Sequence, residues 1–222
     1  MKFIGSKMIN GASIFKALLK NNLVRPIELQ NYDDFHKFLA IILSTNKIEK
    51  VFVNLEIPIS NSIEKLAEID VKELAILIKP SGFYNTKAKK LNDLAKAIIK
   101  DFSSFDEFMQ NADFEWFLKI KGVGFDTALM LNNFLLKKPS LVINANAKKL
   151  LNILDFTFES YEEASEILSE GLDDEYFYKA LNTDNLADIY MSFSASIDNL
   201  MQDHYKNKDF DELGKKVLKE LR

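Results

Sequence analysis

Apolar residues recur at three- and four-residue spacing in several segments of this chain, and this helical periodicity restricts the possible folds more than any other feature. The pattern runs through residues 33–43, 63–78, 86–99, 114–120 and 125–136. The 7 glycines and 4 prolines among 222 residues are less than half of the usual share of about 12% for these two residue types. Long irregular segments are therefore not expected, and the sequence predicts an all-α protein.

Local signals indicate where several of these helices begin and end. Two short apolar stripes meet near Asp70, and Pro80 stops the second of them because the residue before a proline disfavours helix. We expect a loop over residues 81–85, then a helix capped by Thr86. A further helix should open within Ser103–Asp106.

The absence of cysteine removes several kinds of site at once. Disulfides, a thiolate nucleophile, a cysteine zinc site and a cysteine-ligated iron–sulfur cluster are all excluded. The two histidines, His36 and His204, have no partner at metal-ligand spacing and are expected to be ordinary polar residues. We therefore predict no metal site.

Charge is unevenly distributed along the chain. Lysine and arginine number 29 against 33 aspartates and glutamates, giving a net charge of −4, which argues against a protein that coats nucleic acid by overall charge. Residues 155–188 are strongly acidic with Lys179 as their one basic residue, whereas Lys87, Lys89 and Lys90 have no acidic neighbour between them. Any site for a polyanion should be local, although such lysines more often only solvate a helix face.

The amino-terminal residues contain no apolar run long enough for a signal peptide. No stretch of about 18 consecutive apolar residues occurs either, so no membrane span is predicted. We expect a cytoplasmic protein without membrane contact.

The segment Leu118–Ala128 predicts a short helix, a tight Gly-Val-Gly turn and a second helix. Glycine permits positive φ and close approach of a ligand to the turn. The exposed N–H groups that begin the second helix offer an anion site, and a contact to backbone phosphate there would give affinity without reading sequence. A lone Gly-x-Gly turn is more often structural, so its context decides.

Three blocks supply that context in order along the chain. They are Ile42-Leu43-Ser44-Thr45-Asn46, the element Gly82-Phe83-Tyr84-Asn85-Thr86-Lys87-Ala88-Lys89-Lys90-Leu91, and the hairpin followed by Val142-Ile143-Asn144. Together they resemble the helix-hairpin-helix DNA glycosylase superfamily (HhH-GPD), in its endonuclease III branch. The run from Pro80 to Leu91 is especially similar to the 3-methyladenine DNA glycosylases of that branch. The resemblance covers roughly residues 30–155, with a weaker match onward.

The resemblance implies a two-lobed all-α fold without an iron–sulfur cluster, with the DNA cleft between the lobes. We expect a helical barrel lobe over residues 33–150 that contains the hairpin. The second lobe should combine residues 1–32 with residues 151–222, pairing an amino-terminal helix with the acidic carboxyl-terminal helices. The expected partner is double-stranded DNA that carries a damaged base, bound by a monomer.

The implied chemistry is hydrolysis of the N-glycosidic bond of a nucleotide flipped out of the duplex. Bond breaking leaves positive charge on the sugar, which a nearby carboxylate stabilises. The superfamily carries an aspartate just after the second hairpin helix, and Asn144 occupies that position here. An amide can cap a helix but cannot carry the negative charge.

Asp126 stands where lyase-competent relatives have the lysine that forms a Schiff base, so strand cleavage by that lysine is not expected. The alkyl-base branch typically has an acid at this place. The alternative for Asp126 is an exposed first-turn acid favoured by the helix dipole. The candidate catalytic residues are thus Asn144 and Asp126.

The resemblance also implies DNA-binding and base-stacking residues. The DNA-binding candidates are Asn46, Lys87, Lys89, Lys121, Gly122, Val123 and Gly124. Phe35, Phe83 and Tyr84 are candidates for the wall of a base pocket, although core packing is the favoured role for Phe35 and Phe83. Trp116 is expected to be a packing residue of the first hairpin helix. No prosthetic group is predicted, although the carbonyls of Ile120 and Gly122 could hold a monovalent cation when DNA is bound.

Three functions remain open from the sequence. The leading one is a monofunctional glycosylase that removes alkylated bases in base excision repair, with Asp126 or a water network in place of the missing carboxylate. The second is a homologue that binds DNA or senses lesions but does not excise bases. The third is an interaction module unrelated to DNA, which the acidic carboxyl-terminal third would suit.

Overall fold

The predicted apolar stripes lie on helices in the computed structural model, which describes residues 2–4, 7–24, 31–45 and 47–221. In chain order the elements are β1 Lys2–Ile4, β2 Lys7–Ile9, α1 Gly11–Lys20, α2 Asp34–Leu43, α3 Ile48–Ile59, α4 Ile63–Glu68, α5 Val71–Leu77, α6 Tyr84–Phe102, α7 Phe105–Asn111, α8 Phe114–Lys119, α9 Phe125–Met130, α10 Ala145–Ile153, α11 Tyr161–Ser169, α12 Glu175–Leu181, α13 Leu186–Asp203, β3 Tyr205–Lys206, β4 Asp209–Phe210 and α14 Glu212–Leu221. The strands form two small antiparallel hairpins, β1 with β2 and β3 with β4. The all-α prediction is confirmed, because these hairpins are the only sheets in the described part of the chain.

The chain divides into two compact units, each with its own hydrophobic core. One unit contains residues 28–136, and the other contains residues 1–27 and 137–222. The sequence-based boundary after residue 150 differs from this division. Helix α10 lies in the second unit because its buried Leu150 and Leu151 pack in that unit's core. Residues 137–150 therefore belong with the amino-terminal and carboxyl-terminal helices.

In the unit of residues 28–136, helix α6 packs against both α4 and α5. Several predicted ends are confirmed: Asp70 caps α5, accepting hydrogen bonds from the N–H groups of Lys72 and Glu73, and Ser104 caps α7. Pro80 lies in a 3₁₀ turn, Lys79–Ser81, that follows α5. The prediction that Thr86 caps a helix is wrong. Helix α6 begins at Tyr84, and its N-cap is the left-handed Phe83, three residues before Thr86.

In the other unit, α1 packs against α11, α13 and α14. Gly11 permits the close approach of α1 to α11, since a Cβ at this position would lie 1.9 Å from the Leu168 carbonyl oxygen. The chain between Lys137 and Asn144 has no regular secondary structure before α10 begins. This segment is fixed to the unit because Ser194 on α13 donates to the carbonyl of Val142 at 3.1 Å.

Among the described residues, no helix combines the length and the apolar character that crossing a bilayer requires.

Candidate nucleic-acid interface and glycosidic site

The predicted hairpin is present as α8, a turn over residues 120–124, and α9, which continues into a π-helical turn, Leu131–Leu135. Asp113 caps α8 by accepting a hydrogen bond from the N–H of Trp116 at 2.8 Å. The turn closes through a hydrogen bond from the N–H of Val123 to the carbonyl of Ile120 at 3.1 Å. Val123 is buried in the unit's core, so the side chain between the two glycines anchors the turn from inside.

The two glycines of the turn are explained by different features of the structure. Gly122 has φ +88, a left-handed backbone that side chains adopt at a cost. Gly124 has φ −82 and caps α9, and a Cβ built on it would meet no described residue within 4 Å other than its chain neighbours. Both glycines are exposed. Nothing within this unit therefore requires glycine at position 124, whereas a ligand that approaches the start of α9 closely would require it.

The start of α6 lies beside this turn and forms a cleft with it, called here the turn cleft. It encloses about 370 Å³. Its lining residues come from the first turns of α6 and from the hairpin turn; they are Asn85, Thr86, Lys89, Lys90, Asp93, Lys121 and Gly122. Three of these seven residues are lysines and one is an aspartate. The cleft is thus locally basic in a chain of net negative charge.

The lysines of α6 are held in different ways. Lys87 donates from Nζ to the carbonyl of Ser81 at 2.7 Å, so its ammonium also ties down the turn before the helix. Lys89 is exposed and pairs with Asp93 at 2.8 Å. Lys90 is half-buried and donates to Thr127 Oγ1 on α9 at 3.2 Å.

Burial lowers the pKa of both Lys87 and Lys90 below the ordinary value of 10.5 for a lysine. In Lys90 the positive charge of Lys87 lowers the pKa further. Both shifts reflect ammonium groups that lack a compensating anion in the protein alone. An added anion at the turn cleft would relieve the repulsion between these two lysines.

The three aromatic candidates for the base pocket differ in their exposure to solvent. Phe35 is only 6% exposed, in contact with the rings of Phe38 and Phe105, so it has the favoured packing role and is not accessible to a flipped base. The expected core role of Phe83 is wrong, because this side chain is 87% exposed. Its backbone is left-handed, with φ +47, at the residue that precedes α6. Tyr84 follows it and packs partly against the core.

Trp116 packs as predicted, against Phe102 and Phe108, and its Nε1 donates to Asp101 at 2.9 Å. Asp126 is exposed in the first turn of α9, as the alternative of a dipole-favoured surface acid predicts. Asn46 lies outside the described residues. Lys121 is exposed at the turn.

Within the described ranges, neither histidine belongs to a group of metal-ligating side chains. His36 and His204 each contact one aspartate, Asp33 at 2.7 Å and Asp211 at 2.8 Å. The residues that the structure describes contain no group of three or more His, Cys, Asp or Glu side chains arranged to hold a metal ion. The carbonyl of Ile120 accepts one hydrogen bond and keeps a second lone pair. The turn therefore retains acceptor capacity for the monovalent cation predicted there.

Asn144 lies in the other unit, where it caps α10. Its Oδ1 accepts hydrogen bonds from the N–H groups of Asn146 and Ala147, at 3.0 and 3.1 Å. Because only the amide oxygen can accept from these donors, Nδ2 must point the other way. It donates to both carboxylate oxygens of Asp198, at 2.9 Å to each.

Asn146 completes a cluster with these two residues, called here the Asn144–Asp198 cluster. Its Nδ2 donates to Asp198 Oδ1 at 2.7 Å. All three side chains are half-buried. Sequence reasoning selected Asn144 but missed Asn146 and Asp198. A second amide two residues after Asn144 was the available signal for Asn146, but Asp198 is 54 residues away from Asn144 and no local pattern connects them.

Comparisons with known proteins give one family. The model of the HhH-GPD superfamily, described as base excision DNA repair protein, matches residues 40–209. A protein of Methanocaldococcus jannaschii, assigned by name to the DNA repair glycosylases, is 31% identical over 137 residues, which are 58% of this chain and 62% of that protein. Endonuclease III of Rickettsia conorii is 31% identical over 143 residues, 63% of this chain and 66% of that enzyme. The matched part thus spans less than two thirds of these relatives.

Two solved structures are similar over most of the chain. The structure of H. pylori 3-methyladenine DNA glycosylase bound to 1,N6-ethenoadenine is 28% identical, with a TM-score of 0.74, covering 87% of this chain and 97% of that one. Endonuclease III trapped as a covalent intermediate with DNA is 16% identical, with a TM-score of 0.63, covering 97% of this chain and 100% of that one. The second likeness concerns the fold alone.

Proposed function

The chain belongs to the HhH-GPD superfamily of base excision DNA repair proteins, and from that premise we propose that it is a monofunctional DNA glycosylase for alkylated bases. It would bind double-stranded DNA as a monomer, without a prosthetic group, and hydrolyse the N-glycosidic bond of a flipped nucleotide. We also propose that the protein is located in the cytoplasm, as the sequence predicts.

The observation that carries DNA binding is the open space at Gly124. Its backbone conformation suits any residue, and apart from its chain neighbours no residue that the structure describes lies within 4 Å of a built Cβ. A phosphate that approaches the first N–H groups of α9 would explain why position 124 is a glycine, which the protein alone does not explain. The lysines of the turn cleft supply positive charge beside the same turn. A phosphate bound there would be held without regard to base sequence.

The preference for alkylated bases rests on two features. The H. pylori structure, 28% identical over 97% of its chain, is that of a 3-methyladenine DNA glycosylase. In addition, Asp126 stands where a lyase would need its Schiff-base lysine. A carboxylate cannot form an imine with the sugar aldehyde, so the reaction should end at an abasic site. Phe83, which is exposed and lies two residues before Asn85 of the cleft, would suit contact with the opened duplex.

One observation favours a second function, in which the protein binds DNA or senses lesions without excising bases. The residue after the second hairpin helix is Asn144, and an amide carries no charge to stabilise an oxocarbenium-like sugar. An interaction module without DNA is the third possibility, since residues 155–188 are acidic. Binding and base release together separate the three functions.

The experiment uses duplexes that carry 3-methyladenine or 7-methylguanine, with an undamaged duplex as the control. Free base is measured by chromatography, and strand breaks are measured with and without alkali. The proposal predicts base release by the natural chain and breaks only after alkali. Breaks without alkali would contradict the monofunctional assignment.

The other outcomes identify the alternatives. If the natural chain binds duplex DNA and only Asn144→Asp releases base, the binding function replaces the proposed one. If neither protein binds duplex DNA even at low salt, where phosphate contacts are strongest, the interaction module replaces it.

A further inference from the structure

Asp198 is the carboxylate nearest to the capping amide of Asn144. It lies on α13 and accepts three N–H contacts, two from Asn144 Nδ2 at 2.9 Å and one from Asn146 Nδ2 at 2.7 Å. These donors fix the orientation of the carboxylate. They are neutral amides, so they do not cancel its charge.

Among the residues that the structure describes, no cationic nitrogen lies within 4.0 Å of the Asp198 carboxylate, the distance limit for an ion pair. Another aspartate of the same helix, Asp188, pairs with Lys137 at 2.5 Å. Asp198 instead keeps its negative charge half-buried beside two amides. Its field is therefore available to a positive charge that comes from outside the protein.

The cluster has room for one carboxylate. Asn144 Nδ2 lies 2.9 Å from each Asp198 oxygen, so an aspartate at position 144 would bring two carboxylates into contact. Like charges at that distance cannot both remain ionised without cost. The amide at 144 and the acid at 198 are thus complementary. The cluster therefore has its negative charge on Asp198, which is hydrogen-bonded to Asn144. Position 144 is where the family carries this charge.

We propose that Asp198 is a catalytic residue of this chain and supplies the negative charge that Asn144 cannot. This inference rests on the proposed function, because it takes Asn144 to face the sugar of the flipped nucleotide. A purine nucleotide alkylated at N3 or N7 is already cationic, so the C1′–N bond breaks with its electron pair leaving on the base, which departs neutral. Water adds to C1′, and its proton passes to Asp198 and then to solvent. Before that addition, the Asp198 carboxylate stabilises the positive sugar.

The test is single-turnover base release from duplex DNA carrying 7-methylguanine. It compares the natural chain with Asp198→Asn, Asn144→Asp, and the double variant Asn144→Asp/Asp198→Asn. Asp203→Asn, the same change at an exposed position of the same helix, is the matched control. Thermal melting and affinity for DNA with an abasic-site mimic are measured for each variant. In Asp198→Asn the new amide oxygen can still accept a hydrogen bond from Asn144, so we expect the variants to fold.

The proposal predicts that Asp198→Asn lowers base release by about 100-fold or more, with abasic-site affinity unchanged within about threefold. The double variant returns the carboxylate to position 144 and should recover most of the rate. A loss in Asp198→Asn that the double variant does not recover would mean a structural role and would overturn the proposal.

The remaining outcomes separate this inference from the proposed function. If the natural chain releases base and Asp198→Asn retains the rate within about threefold, the inference is wrong while the proposed function stands. If the natural chain binds but only Asn144→Asp releases base, both are wrong. If no variant binds DNA, the proposed function fails first.

Discussion

Lys90 on α6 donates a hydrogen bond to Thr127 on α9, with 3.2 Å between Nζ and Oγ1. This contact joins the Gly82–Leu91 element to the second helix of the hairpin, although the two residues are 37 positions apart. The half-buried ammonium of Lys90 is thereby brought to the turn where the N–H groups of α9 are exposed. Two features that are separate in the sequence become one basic surface around the turn cleft.

The first prediction concerns the salt dependence of DNA binding. If Lys90 and Lys121 contact phosphate, replacing either by alanine should weaken binding to undamaged duplex and lower the slope of log K against log salt by about one. Affinity is measured by fluorescence anisotropy over a range of salt concentrations. Lys96→Ala, at an exposed position of α6 outside the cleft, is the control and should keep the slope. Equal slopes for all three variants would remove the turn cleft from the DNA interface.

The second prediction separates the two glycines of the turn. Gly122→Ala should destabilise the protein by about 1–2 kcal/mol, because φ +88 is left-handed. Gly124→Ala should leave stability within about 0.5 kcal/mol, because its φ is −82 and its surroundings are open.

The effect of Gly124→Ala on DNA affinity should differ from its effect on stability. Gly124→Ala is expected to weaken duplex binding at unchanged stability, since the methyl group would occupy the space that a phosphate needs. Urea denaturation and anisotropy measured on the same preparations check both statements. Unchanged affinity in Gly124→Ala would mean that no ligand approaches this glycine closely.

Much of this fold is predictable from local sequence. The caps at Asp70 and Ser104 and the Gly-Val-Gly turn depend on residues within three positions of one another, and such interactions are readable from spacing. The start of α6 is not predictable in this way. Phe83 takes a left-handed backbone without a capping side chain, and spacing favoured the good capping residue Thr86 instead.

The candidate site was predictable only where its residues form a local motif. The hairpin and Asn144 follow from motifs, whereas the Lys90–Thr127 contact and the position of Asp198 depend on how distant helices pack. The exposure of Phe83 likewise follows from its backbone, which turns the ring away from the core. Periodicity describes which face of a helix is buried but not what a residue before the helix contacts.

The third prediction concerns Phe83, whose side chain is 87% exposed. Phe83→Ala should change stability by less than about 0.5 kcal/mol, since little contact is lost. If the ring stacks on bases of opened DNA, binding to duplex with an abasic-site mimic should weaken by about 1–3 kcal/mol. Ile57→Ala, at an apolar side chain that is 86% exposed on α3, is the matched control and should bind normally. Normal binding by Phe83→Ala would assign the exposed ring a role outside DNA recognition.

The fourth prediction concerns the pH dependence of stability through Lys90. Its folded-state pKa is lowered by burial and by the charge of Lys87, so between that pKa and the ordinary 10.5 the unfolded chain binds more protons than the folded one. The free energy of unfolding should therefore rise with pH in that window. Lys90→Met removes this rise because it has no proton to lose. Lys90→Arg also removes it, because guanidinium stays charged throughout.

The two variants differ below the window, which separates the pKa effect from loss of packing. At neutral pH, Lys90→Met avoids the burial of an ammonium near Lys87, whereas Lys90→Arg retains a buried charge at every pH. The stability advantage of Lys90→Met over the natural chain should shrink as pH approaches 10.5, and the deficit of Lys90→Arg should grow. Urea denaturation between pH 7 and 10.5 measures both differences. Differences that stay constant across this range would show that Lys90 keeps an ordinary pKa, and the electrostatic description of the turn cleft would then be wrong.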